Sequence, residues 1–114
     1  MKHILVIDDE PAIRRLFVRL GSTHGWDVTS VASGQDALAA LNSGSFEVAF
    51  VDVDQNGTQD GIAVARKLKD LTRDLRVIMM SADPANSALV EAAGLGTMLS
   101  KPFKLVEIKM LVDG

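Results

Sequence analysis

Near its N-terminus the chain reads ILVIDDEP over residues 4–11. Four apolar residues follow one another and stop at a run of acids, a pattern typical of a strand that is buried on both faces. Pro11 fits the first turn of a helix, because the N–H that proline lacks would have no partner there. The stretch therefore predicts a buried strand that passes through an acidic turn into a helix.

The same unit repeats along the chain. Further apolar runs lie at 28–32, 48–51, 77–80 and 97–99. Each run is followed by a segment in which apolar residues recur with helical spacing, such as Ala88, Leu89 and Ala92 after the fourth. Ser33 and Asp60 fit helix caps, and Pro84 fits a first turn. Three glycines fit helix ends: Gly21, Gly44 and Gly94.

Five β-α units with short connections predict the fold class. Parallel strands need crossover connections, and those crossovers are right-handed. We therefore expect an α/β, doubly wound fold in which a five-stranded parallel sheet carries helices on both faces. The chain has 114 residues, of which 47% are hydrophobic, so we expect one domain spanning 1–114.

Composition argues against several classes of function. The formal net charge is −3 and the sequence pI is about 5.2, and no block of Lys or Arg could neutralise a row of phosphates. We expect no direct binding to nucleic acid and no membrane association. The chain has no cysteine and no apolar run long enough for a signal peptide or a membrane span. These features fit a cytoplasmic protein.

Polar residues fall at the carboxyl ends of four of the five apolar runs. They are Asp8 and Asp9 after the first, Asp52 after the third, Ser81 after the fourth and Lys101 after the fifth. Ligands of doubly wound sheets bind outside the carboxyl ends of the strands, so these side chains should converge at one edge. Clustered carboxylates repel one another and either hold a proton or recruit a cation. Mg²⁺ prefers such oxygen ligands.

Each of these residues also has a simpler interpretation. Asp8 or Asp9 could cap the following helix, Asp52 could belong to a turn, and Ser81 could be another helix cap. A lone lysine such as Lys101 is normally solvated. These interpretations do not predict that the acids, the hydroxyl and the ammonium should all fall at carboxyl strand ends.

Taken together, the motifs resemble the receiver domain of bacterial two-component response regulators. The resemblance runs nearly end to end and includes ILVIDDEP at 4–11, FEVAFVD at 46–52, DG at 60–61, VIMMSA at 77–82 and KPF at 101–103. It implies the strand order 2-1-3-4-5 of a flavodoxin-like sheet, which the residue pattern alone does not give.

The resemblance also implies roles for individual residues. Asp52 is similar to the phosphoacceptor, and Asp8 and Asp9 to the acidic pair that holds Mg²⁺ together with Asp52. Asp54 would offer its main-chain carbonyl to the metal. Ser81 resembles the hydroxyl that moves to the phosphoryl group after transfer.

Lys101 resembles the lysine that pairs with a phosphoryl oxygen, and its bond to Pro102 resembles the cis peptide of the family. A histidine kinase, a phosphotransfer protein or a small phosphodonor would supply the phosphoryl group in a Mg²⁺-dependent reaction. The phosphorylated chain would then change conformation and control a downstream protein. Such a protein belongs to a phosphorelay and is mainly a signalling protein, with intrinsic autophosphorylation and autodephosphorylation.

Three features depart from the family pattern. The segment 53–59 is one residue longer than usual and lacks a proline, so Asn56-Gly57 is expected to make its turn. Met98 stands where a switching aromatic residue is usual. The spacing from Ser81 to Lys101 is about two residues short, which predicts a trimmed fourth helix or preceding loop.

Two other functions stay open at this point. The chain could be a degenerate receiver that binds proteins without being phosphorylated, as the missing aromatic residue allows. Alternatively, the sequence AFVDVD at 49–54 resembles the nucleophile motif of haloacid-dehalogenase-like phosphatases, in which Asp54 would be the general acid. That motif normally follows the first strand, whereas here it follows the third.

Overall fold

The computed structural model describes residues 2–55, 60–96 and 98–114. Within these ranges strands and helices alternate from one end to the other. The strands are β1 (His3–Ile7), β2 (Asp27–Val31), β3 (Val48–Asp52), β4 (Arg76–Ser81) and β5 (Met98–Ser100). The helices are α1 (Pro11–His24), α2 (Gly34–Ser43), α3 (Asp60–Leu71), α4 (Asn86–Ala92) and α5 (Leu105–Asp113).

The strands form one parallel sheet in the order β2-β1-β3-β4-β5. This confirms both the fold class and the order implied by the family resemblance. β1 and β3 lie inside the sheet, and every residue of β3 is buried. A strand covered on both faces gains nothing from polar alternation, which explains its continuous apolar sequence.

Side chains that alternate along the strands feed two separate cores. Leu5 and Ile7 of β1 belong to a cluster that includes α2, α3 and α4, whereas Ile4 and Val6 belong to a cluster that includes α1 and α5. Burial of one such aliphatic side chain contributes about 1.5–3 kcal/mol. The helices are therefore divided three and two between the faces of the sheet.

The strands β3, β4 and β5 end one residue later than the sequence indicated, whereas β1 ends at Ile7 as predicted and β2 ends one residue earlier. Asp52 is the last residue of β3 and pairs in register with Met80, while Ser81 is the last residue of β4 and pairs with Ser100. Both polar residues are thus held by the sheet itself and not by a following turn. Thr97 and the expected Asn56-Gly57 turn lie outside the described residues.

Several predicted helix signals can be compared with the structure. Ser33 caps α2, since its hydroxyl accepts a hydrogen bond from the Asp36 N–H at 3.2 Å. The prediction for Gly21 is wrong, because α1 continues to His24 and ends at Gly25, whose φ of 75° suits glycine. Pro84 lies before the N-cap of α4 and not in its first turn. Gly44 does end α2.

The predicted apolar face of α4 is also wrong. Ala88, Leu89 and Ala92 are exposed, and the buried residues of this helix are Asn86 and Val90. The helix has seven residues, and the expected trimming between Ser81 and Lys101 relative to the family stays a prediction. Among the described residues, no helix is both long enough and apolar enough to cross a bilayer.

Candidate functional site

Three carboxylates meet at the carboxyl edge of the sheet. Asp8 and Asp9 follow β1, and Asp52 ends the neighbouring strand β3. One carboxylate oxygen from each residue lies within 4.8 Å of the others. Asp8 and Asp52 are buried, whereas Asp9 is partly exposed. The adjacent parallel strands β1 and β3 thus bring together the acids that the sequence predicted would converge.

The Asp8 side chain is fixed by its own turn. Its Oδ1 accepts a hydrogen bond from the Glu10 N–H at 2.9 Å, and the Arg14 guanidinium donates to its main-chain carbonyl at 2.8 Å. The N-cap residue of α1 is Glu10, so neither Asp8 nor Asp9 occupies the capping position. The capping interpretation therefore fails for this pair.

Lys101 reaches across this acidic cluster from the end of β5. Its Nζ lies 2.8 Å from Asp8 Oδ2, 3.0 Å from Glu10 Oε1 and 3.6 Å from Asp52 Oδ1. Only 10% of its side chain is exposed, so the interpretation as a solvated lysine is wrong. The Lys101–Pro102 peptide is cis, as expected.

The Asp52 carboxyl group is an unusually weak acid in this setting. The residue is 4% exposed. Burial, followed by the charge of Asp8, raises its pKa from 3.8 to about 7, although Lys101 and a hydrogen bond from the Asp54 backbone act in the opposite direction. The single positive charge of Lys101 does not balance the negative charges of the buried acids. Binding of a cation at this site would therefore be favourable.

The Lys101 ammonium shows the complementary effect. Burial acts to lower its pKa, but contacts with the Asp8 and Glu10 carboxylates, together with the Asp52 charge, outweigh burial and raise the pKa above its usual value. The side chain therefore stays charged throughout the physiological range and supplies a fixed positive point at the edge of the sheet.

The donor set fits a hard divalent cation. Asp8 Oδ2 is buried and accepts no aligned hydrogen bond from the described residues, although the Lys101 ammonium forms a close ion pair with it. Three carboxylates within reach of one point match the oxygen ligands of Mg²⁺, which also keeps several waters. A cation at this point would offset the Asp8 charge that helps to raise the pKa of Asp52.

Ser81 lies beside the acidic cluster in a hydrogen-bonded group of its own. Its hydroxyl lies within donating distance of Asp54 Oδ2 at 3.3 Å and of the Asp83 carbonyl at 3.4 Å, and it accepts from the Asp83 N–H at 3.0 Å. The Nδ2 of Asn86 donates to Ser81 Oγ at 2.9 Å and to Asp54 Oδ2 at 3.0 Å. The N-cap of α4 is Ala85, so Ser81 does not cap that helix.

Sequence reasoning missed Asn86 and the side-chain role of Asp54. Asn86 is 1% exposed, and an asparagine this deeply buried normally has hydrogen-bond partners. Its signal in the sequence is the i, i+4 spacing from Val90, which places it on the buried side of α4. The expected contribution of the Asp54 main-chain carbonyl to a metal stays a prediction.

The first turn of α3 packs closely against the backbone of Asp52. Gly61 lies in the first turn of α3, and its N–H donates to the Val53 carbonyl at 3.0 Å. A Cβ at position 61 would lie 1.9 Å from the Asp52 carbonyl oxygen. Only glycine allows α3 to approach the end of β3 this closely.

Among the residues that the structure describes, Met98 makes no contact with the acidic cluster. It is partly buried and packs against the cluster that includes α2, α3 and α4. A flexible thioether fills this gap without the two defined ring positions that an aromatic residue would offer.

Comparison with known proteins agrees with this arrangement. The sequence model of the response regulator receiver domain matches residues 4–113. Regulatory protein VirG of Rhizobium rhizogenes is 35% identical over 106 residues, which cover 90% of this chain but only 43% of that protein. Sporulation initiation phosphotransferase F of Bacillus subtilis is 30% identical over 110 residues, covering 95% of this chain and 88% of that protein. The chain thus spans less than half of VirG.

Solved structures show the same fold. The response regulator protein TrrA of Thermotoga maritima, in complex with Mg²⁺-BeF, matches with a TM-score of 0.86 and 27% identity, covering 99% of this chain and 97% of that one. In the structure of the histidine kinase ThkA in complex with TrrA, the matching chain has a TM-score of 0.83 and 28% identity, with coverage of 99% and 97%.

Proposed function

The chain belongs to the response regulator receiver domains, and on that premise we propose that it is a signalling switch that accepts a phosphoryl group on Asp52. Residues 1–114 would form a single receiver domain. The observation that carries the proposal is a buried Asp52 carboxylate in contact with the Lys101 ammonium and next to Asp8 and Asp9. Structural needs alone do not explain three clustered acids beside one lysine at the carboxyl edge of a sheet.

The transfer itself requires a charged nucleophile. An Asp52 carboxylate oxygen attacks the phosphorus of a phosphohistidine, so that a P–O bond forms as the P–N bond breaks. The electron pair of the P–N bond stays on the imidazole nitrogen, which takes up a proton. Lys101 offsets the negative charge on the phosphoryl oxygens throughout, and catalysis is mainly positioning and charge neutralisation.

Asp8, Asp9 and Asp52 would hold Mg²⁺, with the Asp54 main-chain carbonyl as a further ligand. When bound, the ion would supply positive charge that lowers repulsion between the acids and the incoming phosphoryl group and favours the ionised, nucleophilic form of Asp52. TrrA, in complex with Mg²⁺-BeF, supports this choice of ion.

The response to phosphorylation begins at Ser81. Its hydroxyl would turn from Asp54 towards a phosphoryl oxygen on Asp52, and this rearrangement would bias the packing of the following segments. A downstream protein of unknown identity would read the change. The partner that donates the phosphoryl group would be a histidine kinase or a phosphotransfer protein in the cytoplasm, as the complex of TrrA with ThkA supports.

Incubation with Mg²⁺ and acetyl phosphate, followed by intact mass measurement, tests this function. We expect one added phosphoryl group in the wild-type chain and none in Asp52→Ala or after chelation of the metal. Asp70→Ala, which changes an exposed acid of α3, serves as the control and should keep the adduct.

Other outcomes of this experiment identify the alternatives. A wild-type chain that gains no mass while binding a partner is a degenerate receiver. Catalytic turnover of a phosphate ester that Asp54→Asn abolishes would assign the chain to the phosphatases instead.

A further inference from the structure

Asn86 connects the site to α4 through two hydrogen bonds. Its Nδ2 lies 2.9 Å from Ser81 Oγ and 3.0 Å from Asp54 Oδ2, and Ser81 Oγ itself lies 3.3 Å from the same Asp54 oxygen. The three side chains close a triangle that joins the loop after β3, the end of β4 and the start of α4. We call this group the Ser81 triangle.

The Ser81 triangle connects the first turn of α4 to the site, beside local hydrogen bonds that N–H groups at the start of this helix donate to carbonyl and carboxylate oxygens at 83–84. The helix has seven residues, and its buried residues are Asn86 and Val90. Val90 anchors the second turn in an apolar cluster. Asn86 anchors the first turn, and its Nδ2 donates hydrogen bonds to Ser81 and Asp54.

We propose that Asn86 is a positioning residue that holds the Ser81 hydroxyl against Asp54 in the unphosphorylated chain, so that phosphorylation must open the triangle and free the first turn of α4. The inference rests on the proposed function, because it requires a phosphoryl group on Asp52 to recruit the Ser81 hydroxyl. A hydroxyl has one proton to donate. When Ser81 donates to a phosphoryl oxygen, it can no longer donate to Asp54.

The triangle therefore opposes activation in a measurable way. It stabilises the resting arrangement but not the arrangement in which Ser81 contacts the phosphoryl group. A ligand shifts such an equilibrium only by its differential affinity for the two states. Loss of the Asn86 hydrogen bonds should thus make a phosphoryl analogue bind more tightly, by about 3- to 10-fold for bonds of ordinary strength.

Beryllofluoride titration in excess Mg²⁺, followed by calorimetry on the full chain, tests the inference. Asn86→Ala removes the donor, and Asn86→Leu removes it while keeping a similar side-chain volume. Ser87→Ala is the control, since Ser87 is the exposed next residue of the same helix. We expect both Asn86 variants to bind about 3- to 10-fold more tightly than wild type and the control to be unchanged.

A double-mutant cycle separates positioning from general loosening of the helix. In a Ser81→Ala background no hydroxyl remains to be released, so Asn86→Ala should no longer tighten binding. An unchanged or weakened affinity in both Asn86 variants overturns the inference, as does a gain that persists without Ser81. Failure of both variants to fold also overturns it, because Asn86 would then be purely structural. Absence of beryllofluoride binding in wild type contradicts the proposed function itself.

Discussion

At the scale of single residues, Asp52 is a carboxyl group whose ionisation opposes folding while no cation is bound. Its pKa rises from 3.8 to about 7 because of burial and the nearby Asp8 charge. Between these values the folded chain holds a proton that the unfolded chain has lost. The free energy of unfolding therefore falls as the pH rises through this window, and the cost is complete above about pH 7.

Asp52→Asn should accordingly stabilise the chain in the presence of a chelator. The neutral amide avoids the ionisation cost, which amounts to a few kcal/mol at about pH 8 and vanishes near pH 4. Urea unfolding in EDTA at several pH values measures the difference between variant and wild type. A gain in stability that is the same across this range would show that ionisation of Asp52 is not its cause.

Lys101→Met should slow phosphorylation and move its pH dependence. The Lys101 charge is one of the effects that lower the pKa of Asp52, so its loss raises that pKa further. Because the carboxylate is the nucleophile, the rate is lost as the pH falls, and a higher pKa moves the midpoint to higher pH. Initial rates with acetyl phosphate at limiting Mg²⁺ measure this midpoint.

We expect a rate at least about tenfold lower at neutral pH, since the ammonium also offsets phosphoryl charge. Lys67→Met, which changes an exposed lysine of α3, is the matched control. If the midpoint for Lys101→Met coincided with that of the control, the Lys101 charge would have no effect on the pKa of Asp52.

Some of these residues could be predicted from the sequence and others could not. Asp8, Asp52, Ser81 and Lys101 end or directly follow parallel strands. Parallel strands of one sheet end at one edge, so their placement at a common edge follows from periodicity, whereas the distances between them depend on the strand order. The role of Asn86 at the site depends on its contact with Asp54, which is 32 residues away in sequence. No local sequence pattern encodes this contact.

At the scale of secondary structure elements, the start of α3 determines where β3 can end. The helix approaches so closely that a Cβ on Gly61 would lie 1.9 Å from the Asp52 carbonyl oxygen and 2.8 Å from Val53 Cα. Both neighbours are backbone atoms, which cannot swing aside as a flexible side chain can. The position of Asp52 and the docking of α3 are therefore linked through this glycine.

Gly61→Ala should consequently weaken both folding and the site. Either α3 or the end of β3 must move, with an expected loss of about 1–3 kcal/mol in the free energy of unfolding and a lower Mg²⁺ affinity. Urea unfolding and Mg²⁺ titration measure the two effects. Gly44→Ala provides the control, because nothing lies within 4 Å of a Cβ at that position.

If Gly61→Ala matched Gly44→Ala in both measurements, the close approach of α3 would have no energetic consequence. A loss of stability without any loss of Mg²⁺ affinity would show that the helix moves while Asp52 stays in place.

The element that sequence reasoning placed least well is α4. Its alanines and leucine suggested an apolar face over 88–92, yet the helix turns this side to solvent and buries Asn86 and Val90 instead. In so short a helix, two buried positions decide the orientation. The hydrogen bonds of Asn86 compensate for the burial of a polar group, which the apolar pattern alone could not indicate.

At the scale of the whole molecule, two apolar cores lie on opposite faces of the sheet, and the acids lie at its carboxyl edge. On one face, Phe17 of α1 packs against Phe50 of β3, the strand that carries Asp52, with ring centroids 4.8 Å apart. The α/β class follows from alternation along the sequence. The strand order depends on pairing between distant segments and was available only through resemblance to a family.

Mg²⁺ should stabilise the entire fold, since the proposed site exists only when β1 and β3 are paired. At ten times its Kd, the ion should raise the free energy of unfolding by about 1.4 kcal/mol. Thermal or urea unfolding with and without Mg²⁺ measures this gain, and Asp9→Asn should reduce it. An equal gain in wild type and Asp9→Asn would point to non-specific ion effects.

The central claim is that burial among acids and one lysine makes Asp52 the residue that receives the phosphoryl group. Borohydride reduction of the chain after treatment with Mg²⁺ and acetyl phosphate converts an acyl phosphate to an alcohol, which fragment mass spectrometry can locate. The account predicts reduction of the Asp52 side chain to a homoserine, and no such product when the metal is chelated. A reduced side chain at Asp54, Asp8 or Asp9 in place of Asp52 would contradict it.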